Sequence, residues 1–311
     1  RIKSSSSWRV VLLDVVEHDA IKSTKLNKIN VKLNFIYFLK MINFISTPIG
    51  NLNDISLRAI DVIRSSDYLY AEDTRNIKKI LDFIDIQKKC RSFHEHNEDK
   101  VSNEIIKHTK NKKIVSVVSD AGTPAISDPG YKLIRMCVDQ NIKYTLIPGS
   151  SSVVSALIMS GLPTDKFSFF GFIPRKLNEQ VKFLQNLKNE NKTSIFFESS
   201  KRTKKTLSNL AKYLDSSRKI SVCKEMTKLH ENIIRGNISN ILSIINEENI
   251  LLKGEIVIVI EGFKKEKIDI EIDSKIKKEF LTKLSATEAA KLISIISGQN
   301  KREIYKKLIE K

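Results

Sequence analysis

The sequence predicts an α/β protein of two domains: a parallel-sheet N-terminal domain, a mixed-sheet α+β C-terminal domain and a small helical tail. Three observations carry this. Between Ile42 and Ile147, short β-branched apolar runs alternate with segments of helical period. That rhythm builds a parallel sheet with helices on both faces. Four of the six prolines, Pro48, Pro124, Pro129 and Pro148, fall in loops just after strands, which gathers irregular backbone at one sheet edge. After Pro174 there is no proline, and the strands lie closer together with fewer crossovers, as a mixed sheet requires.

Residues 1–40 differ from the rest of the chain. They contain no Met, and Ser4 to Ser7 is low-complexity. Arg9 to Val16 is apolar but interrupted by Asp14, too weakly framed for a signal peptide. The expectation is a mostly disordered extension, with Met41 as the biological start. The N-terminal domain is expected over 41–160. Its first strand is Met41–Ser46, and Asn53 or Asp54 is expected to cap a helix over Ile55–Arg64. The strand Asp67–Ala71 ends in Glu72-Asp73-Thr74-Arg75, followed by a helix over 76–84 and a short strand before Phe93. A helix over 99–109 leads to the strand 114–118, then a loop with two prolines and two glycines, then the helix Tyr131–Val138. The strand Tyr144–Ile147 ends in Pro148-Gly149-Ser150-Ser151-Ser152.

The C-terminal domain is expected over 161–265. The aromatic stretch Phe167–Phe172 reads as linker and interdomain packing. Then come a helix 177–190, a strand Thr193–Phe197, a helix 201–214, a strand Lys219–Lys224, its hairpin partner Glu231–Arg235, a helix 237–247 and a strand Gly254–Ile260. A charged stretch, Lys264 to Lys278, precedes a helical tail over 280–311, with its helical segment at Ser285–Lys311.

Composition narrows the function. The 311 residues carry a formal charge of +18, which points to a polyanionic partner such as RNA. Lys, Asn and Ile are abundant together, so nucleotide composition accounts for part of that excess. The cysteines Cys90, Cys137 and Cys223 form no Cys-x-x-Cys pair, which fits a reducing, cytoplasmic compartment. Five histidines without metal-ligand spacing give no metal site. No apolar run approaches the ~18 residues of a membrane span. There is no G-x-G-x-x-G dinucleotide fingerprint and no phosphate-binding P-loop. The sheet edge instead offers three compact loops, Thr47–Asn51, Asp120–Gly130 and Pro148–Ser152, able to hold a nucleoside-like ligand through backbone groups and hydroxyls.

Eight motifs in order carry a family resemblance: S-T-P-I-G-N-L-x-D-I from Ser46, A-E-D-T-R from Ala71, H-E-H-N-E from His94, V-S-D-A-G-T-P-A-I-S-D-P-G-Y from Val118, I-P-G-S-S-S from Ile147, S-G-L-P-T-D-x-F from Ser160, F-F-E-S-x-x-R from Phe196 and E-M-T-K-L-H-E-x-x-x-R-G from Glu225. The chain resembles the RsmI-type family of bacterial small-subunit ribosomal RNA 2'-O-methyltransferases, in the tetrapyrrole-methylase superfamily, over about Ile42–Gly262. The tail, with Leu284–Lys291 and Asn300–Tyr305, resembles the family's C-terminal helical module. The resemblance implies a two-domain class III methyltransferase, usually a homodimer. It would bind S-adenosylmethionine folded between its domains and methylate a cytidine 2'-oxygen in the decoding centre of 16S rRNA, free or within the 30S subunit. Carried over by motif, the cofactor contacts are Pro48, Gly50, Asp120, Gly122, Thr123, Ile126, Ser127, Ser151, Glu198 and Ser199. The sequence departs from the family at Ser200-Lys201-Arg202, where Pro-His-Arg is usual, and at Lys224-Glu225-Met226-Thr227-Lys228, where Arg-Glu-Leu-Thr-Lys is usual.

Methyl transfer from a sulfonium is an in-line displacement governed by positioning, and a ribose hydroxyl is a weak acid that needs a proton acceptor. The catalytic candidates are Glu72, Arg75, His94 and Glu95, with Glu72 and Arg75 expected to shape the acceptor site. Asp73, Glu98 and Glu225 with Lys228 are alternatives; His108 and His230 read as surface residues. Phosphate contacts are expected from the basic clusters at Lys78–Lys79, Lys88–Arg91, Arg175–Lys176, Lys201–Lys205 and Lys301–Lys307. The alternatives are a methyltransferase acting on a porphyrinoid and a non-catalytic ribosome-assembly factor. The H-E-H-N-E and A-E-D-T-R loops and the charge count against the first, and the intact Asp120–Gly130 loop counts against the second.

Overall fold

The computed structural model describes residues 41–247, 253–263 and 272–310. The extension expected over 1–40 lies outside the described residues, as does most of the charged stretch from Lys264. Five strands, β1 (Ile42–Ile45), β2 (Tyr68–Ala71), β3 (Cys90–Ser92), β4 (Val115–Val118) and β5 (Tyr144–Ile147), form one sheet in the order β3-β2-β4-β1-β5. Every pairing in it is parallel. Burial on both faces explains the near-continuous apolar runs. Ile42, Phe44, Val115 and Val117 face α3 (Glu98–Lys110) and α4 (Tyr131–Asp139). Ile45, Leu69, Ala71 and Val118 face α1 (Leu57–Ser65) and α2 (Thr74–Phe83). From β1 the chain passes to β2 beyond β4, and it later returns on the other side as β5. The central pair β1–β4 is therefore the switch point, and its two outgoing loops leave side by side at the carboxyl edge.

The second sheet has β6 (Phe167–Phe172), β7 (Thr193–Ser199), β8 (Lys219–Lys224), β9 (Asn232–Asn237) and β10 (Glu255–Ile260), ordered β6-β7-β10-β8-β9. Only β6 and β7 pair in parallel, so the sheet is mixed. One face buries Phe196, Ile220, Val222 and Ile258 with α6 (Leu177–Lys188), α7 (Ser200–Tyr213) and α8 (Ile238–Glu247). The other buries Ile195, Cys223, Val257 and Val259 against Val153, Ala156 and Leu157 of α5 (Ser152–Ser160). Each such Val or Leu contributes about 2 kcal/mol when fully buried. Thus α5 follows directly from the first sheet but packs on the second. The tail has its own small core, Ala289, Ala290, Ile293, Ile304 and Leu308, formed by α10 (Ala286–Ser297) and α11 (Lys301–Ile309) beside α9 (Ser274–Leu281).

Four local expectations are corrected. Phe167–Phe172 is an edge strand rather than a linker. A register shift between Phe169 and Phe172, with Gly171 at φ 65°, is a bulge that breaks the alternation by which a strand is recognised. The helix expected from Ile55 starts later: Ser56 is its cap, accepting from Ala59 N, while Asn51 closes a separate turn at Leu52–Asp54. The final helical segment is two helices, because Gly298 stops α10 in the left-handed region and Asn300 caps α11. Finally, the charged stretch ends in a helix, α9, which Asp273 caps.

Candidate active site

The loops leaving β1 and β4 are joined by backbone. Thr47 N donates to Gly122 O at 2.9 Å and Gly122 N to Thr47 O at 3.0 Å, an antiparallel bridge at the end of a parallel sheet. The Thr47 hydroxyl donates to Ser119 O at 3.0 Å, and the Ser46 hydroxyl to Thr123 Oγ1 at 3.3 Å. Gly122 sits at φ 78°, a conformation that penalises a side chain, and a Cβ there would lie 3.3 Å from Ile49 Cγ2. Farther along the same loop, Ala125 and Ser127 hold φ of 65° and 64°; in the second half, Glu225 and Thr227 hold 49° and 65°, with the Thr227 hydroxyl accepting from Asn51 N of the first loop at 3.1 Å. Non-glycine residues in that region store strain, and strain gathers at functional loops. At Gly50 the constraint is space: a Cβ would fall 2.5 Å from Lys228 Cγ.

Between these loops and the second sheet lies a cavity of about 260 Å³ lined by apolar Ile49, Phe172, Phe197, Met226 and Val257 and by polar Ser127, Asp128, Ser152, Glu198 and Glu255. A smaller one of about 60 Å³ shares Ala121, Asp128, Ser152 and Phe197 with it and adds Gly122, Thr123, Ile126 and Ser151. On the other side, sharing Phe172 and Glu198, opens a groove of about 590 Å³ lined by Arg175, Lys201 and Arg202. It continues past Lys205 into a further 200 Å³ space.

The residues expected at the site divide accordingly. Ser127 and Glu198 line the main cavity, and Gly122, Thr123, Ile126 and Ser151 line its extension. Ser199 lines the groove. Pro48, Gly50 and Asp120 line none of these spaces; Pro48 is buried behind Ile49, and Asp120 accepts from Asp73 N at 2.8 Å and Asn76 Nδ2 at 3.2 Å. Glu198 is saturated by the start of α7, accepting from Ser199 N at 2.7 Å, Thr206 Oγ1 at 2.6 Å and Arg202 at 3.1 Å.

The four catalytic candidates stand at the neighbouring edge and line neither cavity. Asp73 caps α2 and holds Arg75 in a two-toothed pair at 2.5 and 3.0 Å, with the arginine side chain largely in solvent. That pair lowers the Asp73 carboxyl to about 2. Glu72 is raised above the usual carboxylate range by burial and by Asp120, against the opposing pull of His94. Among the described residues no hydrogen-bond partner reaches the buried His94 Nδ1, whose ring stands 5.8 Å from that of His96, and Glu95 is exposed.

Sequence reasoning passed over Asp128, Phe172, Phe197 and Met226. Asp128 stands inside the recognised Asp120–Gly130 loop but lacks any charged neighbour in sequence to mark it. Burial, then Glu72, then Asp120 push its carboxyl up to about 7. Among the described residues no group of three or more His, Cys, Asp or Glu side chains is placed to hold a metal ion, and no helix is long and apolar enough to cross a membrane.

The family model of Tetrapyrrole (Corrin/Porphyrin) Methylases matches residues 41–242. Ribosomal RNA small subunit methyltransferase I of Halalkalibacterium halodurans is 38% identical over 273 residues, 84% of this chain and 92% of that protein. The enzyme of the same name from Bacillus subtilis is 39% identical over 269 residues, 84% of this chain and 91% of that protein. Among solved structures, a cobalt precorrin-4 methyltransferase superposes with a TM-score of 0.54 at 15% identity, over 72% of this chain and 95% of its own. Uroporphyrin-III C-methyltransferase from Thermus thermophilus, solved with S-adenosyl homocysteine, gives 0.50 at 12% identity, over 71% and 97%.

Proposed function

The chain belongs to the tetrapyrrole methylase family, among the ribosomal RNA small subunit methyltransferases I, and from that premise we propose that it methylates the 2'-oxygen of a cytidine ribose in the decoding centre of 16S rRNA. It is an S-adenosylmethionine-dependent rRNA methyltransferase. The observation that carries the choice of acceptor is the adjacency of two spaces with different chemistry. The apolar-walled cavity shares Phe172 and Glu198 with a groove whose Arg175, Lys201 and Arg202 suit a phosphodiester chain.

The residues present fit S-adenosylmethionine. Ile49, Phe172, Phe197 and Met226 supply apolar walls, Ser127 and Ser152 hydroxyls, and Asp128 a carboxylate suited to a cation. Bound there, the cofactor supplies an electrophilic methyl group. The chain's own part is to orient and dehydrate. The Thr47–Gly122 bridge fixes the loops that wall the cavity, and Glu198 locks the first turn of α7 and Arg202, which donates to Ile173 O at 2.8 Å. Glu72 stands beside the cavity without lining it, close enough for its charge to act on Asp128.

The finer reading also takes the assembled 30S subunit as substrate, in the cytoplasm, with the enzyme as a homodimer. Exposed Tyr144 and Leu146 on edge strand β5, with Val154 and Ile158 on α5, support an association surface for a second copy. Methyl-labelled S-adenosylmethionine offered with undermethylated 30S subunits and with free 16S rRNA tests the reading. Label on one decoding-centre cytidine ribose, stronger with 30S, is the expected result. Label on a base, or none on either RNA, would sink it.

A further inference from the structure

Among the described residues three carboxylates line the main cavity, and two are already engaged. Glu198 accepts from three side-chain and backbone donors at the start of α7. Glu255 pairs with Lys228 at 3.4 Å and is 69% exposed. The third, Asp128, lies on the wall shared by the cavity and its extension, and among the described residues no hydrogen bond or ion pair reaches it. The serine hydroxyls beside it are too weakly basic to hold a proton, and His94 lines neither space. We propose that Asp128 is the catalytic residue that takes the proton of the acceptor hydroxyl, and that its carboxylate faces the cationic sulfur of the methyl donor. This role rests on the ribose acceptor proposed for the enzyme.

The step balances without a further reactant. The hydroxyl O–H bond breaks as the O–CH₃ bond forms, the methyl's old bonding pair leaves with sulfur as a neutral thioether, and the proton passes to Asp128 and then to water. The surroundings suit the task. Asp128 sits among acids from two elements, Glu72 at the end of β2 and Asp120 after β4, and Glu72 in turn feels Asp73, His94 and Glu95. In the free protein burial first, and then this crowding, raises the Asp128 carboxyl to about 7, so protonated and ionised forms coexist around neutrality. A sulfonium cation entering the cavity favours the ionised form, so donor binding expels that proton and leaves a base ready for the acceptor.

The coupling gives a readout apart from turnover. Calorimetric titration of the whole chain with S-adenosylmethionine is expected to show affinity rising by up to about tenfold per pH unit on the acid side of neutrality. S-adenosyl homocysteine, whose sulfur is neutral, lacks that dependence. Asp128→Asn removes the difference between the two ligands. With undermethylated 30S subunits and saturating donor, the same variant lowers the single-turnover rate by about 100-fold or more and loses the acid limb of the pH profile, while Asp128→Glu restores part of both. Identical pH dependence for the two ligands would overturn the proposal, as would a folded Asp128→Asn protein with parental rate. A parent protein that shows the pH signature yet labels no rRNA would overturn the ribosomal acceptor, and with it the hydroxyl assigned to Asp128.

Discussion

At the scale of single residues, the site is held in a conformation that disfavours its own charge. The Asp128 carboxyl rises from 3.8 to about 7 because burial and two neighbouring acids oppose ionisation. Below the ordinary value both folded and unfolded chains carry the proton. Between the two values the folded chain retains a proton that the unfolded chain has lost, so stability falls as pH rises. Above about 7 the penalty is complete. Asp128→Asn removes it, so the variant should melt at a higher temperature than the parent at pH 8 and at nearly the same temperature at about pH 3, below the ordinary carboxyl value. Melting curves at the two values check this; a gain of equal size at both would mean that the benefit is not electrostatic. None of this was legible in the sequence. Asp128 is flanked by Ser127 and Pro129, and only folding brings Glu72 and Asp120, more distant in sequence, to its side. Glu198 shows the opposite case. Its motif made it stand out, and the structure commits its carboxylate to Arg202, Ser199 and Thr206.

At the scale of elements, the strands of the first sheet were readable because burial on both faces leaves an unbroken apolar run with a proline-bearing loop behind it. β6 was not, since the bulge at Gly171 scrambles a strand already mixed in exposure. The tail was read as helical but not divided, because a lone glycine in a helical pattern is tolerated as often as it terminates. The loop from Ser119 to Gly130 was legible as a site and not as a strained one. Ala125 and Ser127 hold left-handed backbone at a cost of roughly 1–2 kcal/mol each. Ala125→Gly relieves that cost and should stabilise the protein by about 1 kcal/mol in urea denaturation, because the added chain freedom of glycine offsets part of the gain. Destabilisation instead would show that the Ala125 methyl, 3.5 Å from where a Gly130 Cβ would stand, packs better than its backbone suffers.

At the scale of the whole molecule, the charge of +18 named the class of partner without naming its place. The place proposed for it is the groove formed where the fold sets the start of α7 and the end of β6 beside the cavity. Arg175, Lys201 and Lys205 line the groove and its continuation, and among the described residues no ion pair engages them. Replacing all three by Ala should flatten the dependence of log affinity on log salt by about 2 for a single-stranded rRNA segment, with donor binding unchanged. An unaltered slope would move the phosphate track elsewhere, with the tail lysines next in line. The backbone bridge between Thr47 and Gly122 has a consequence of another kind. Each loop is the other's template at that point, but through main-chain groups alone: the bridge dictates where the two chains run and leaves most side chains free, so an insertion or deletion in one loop displaces the other while substitutions that keep the backbone path do not.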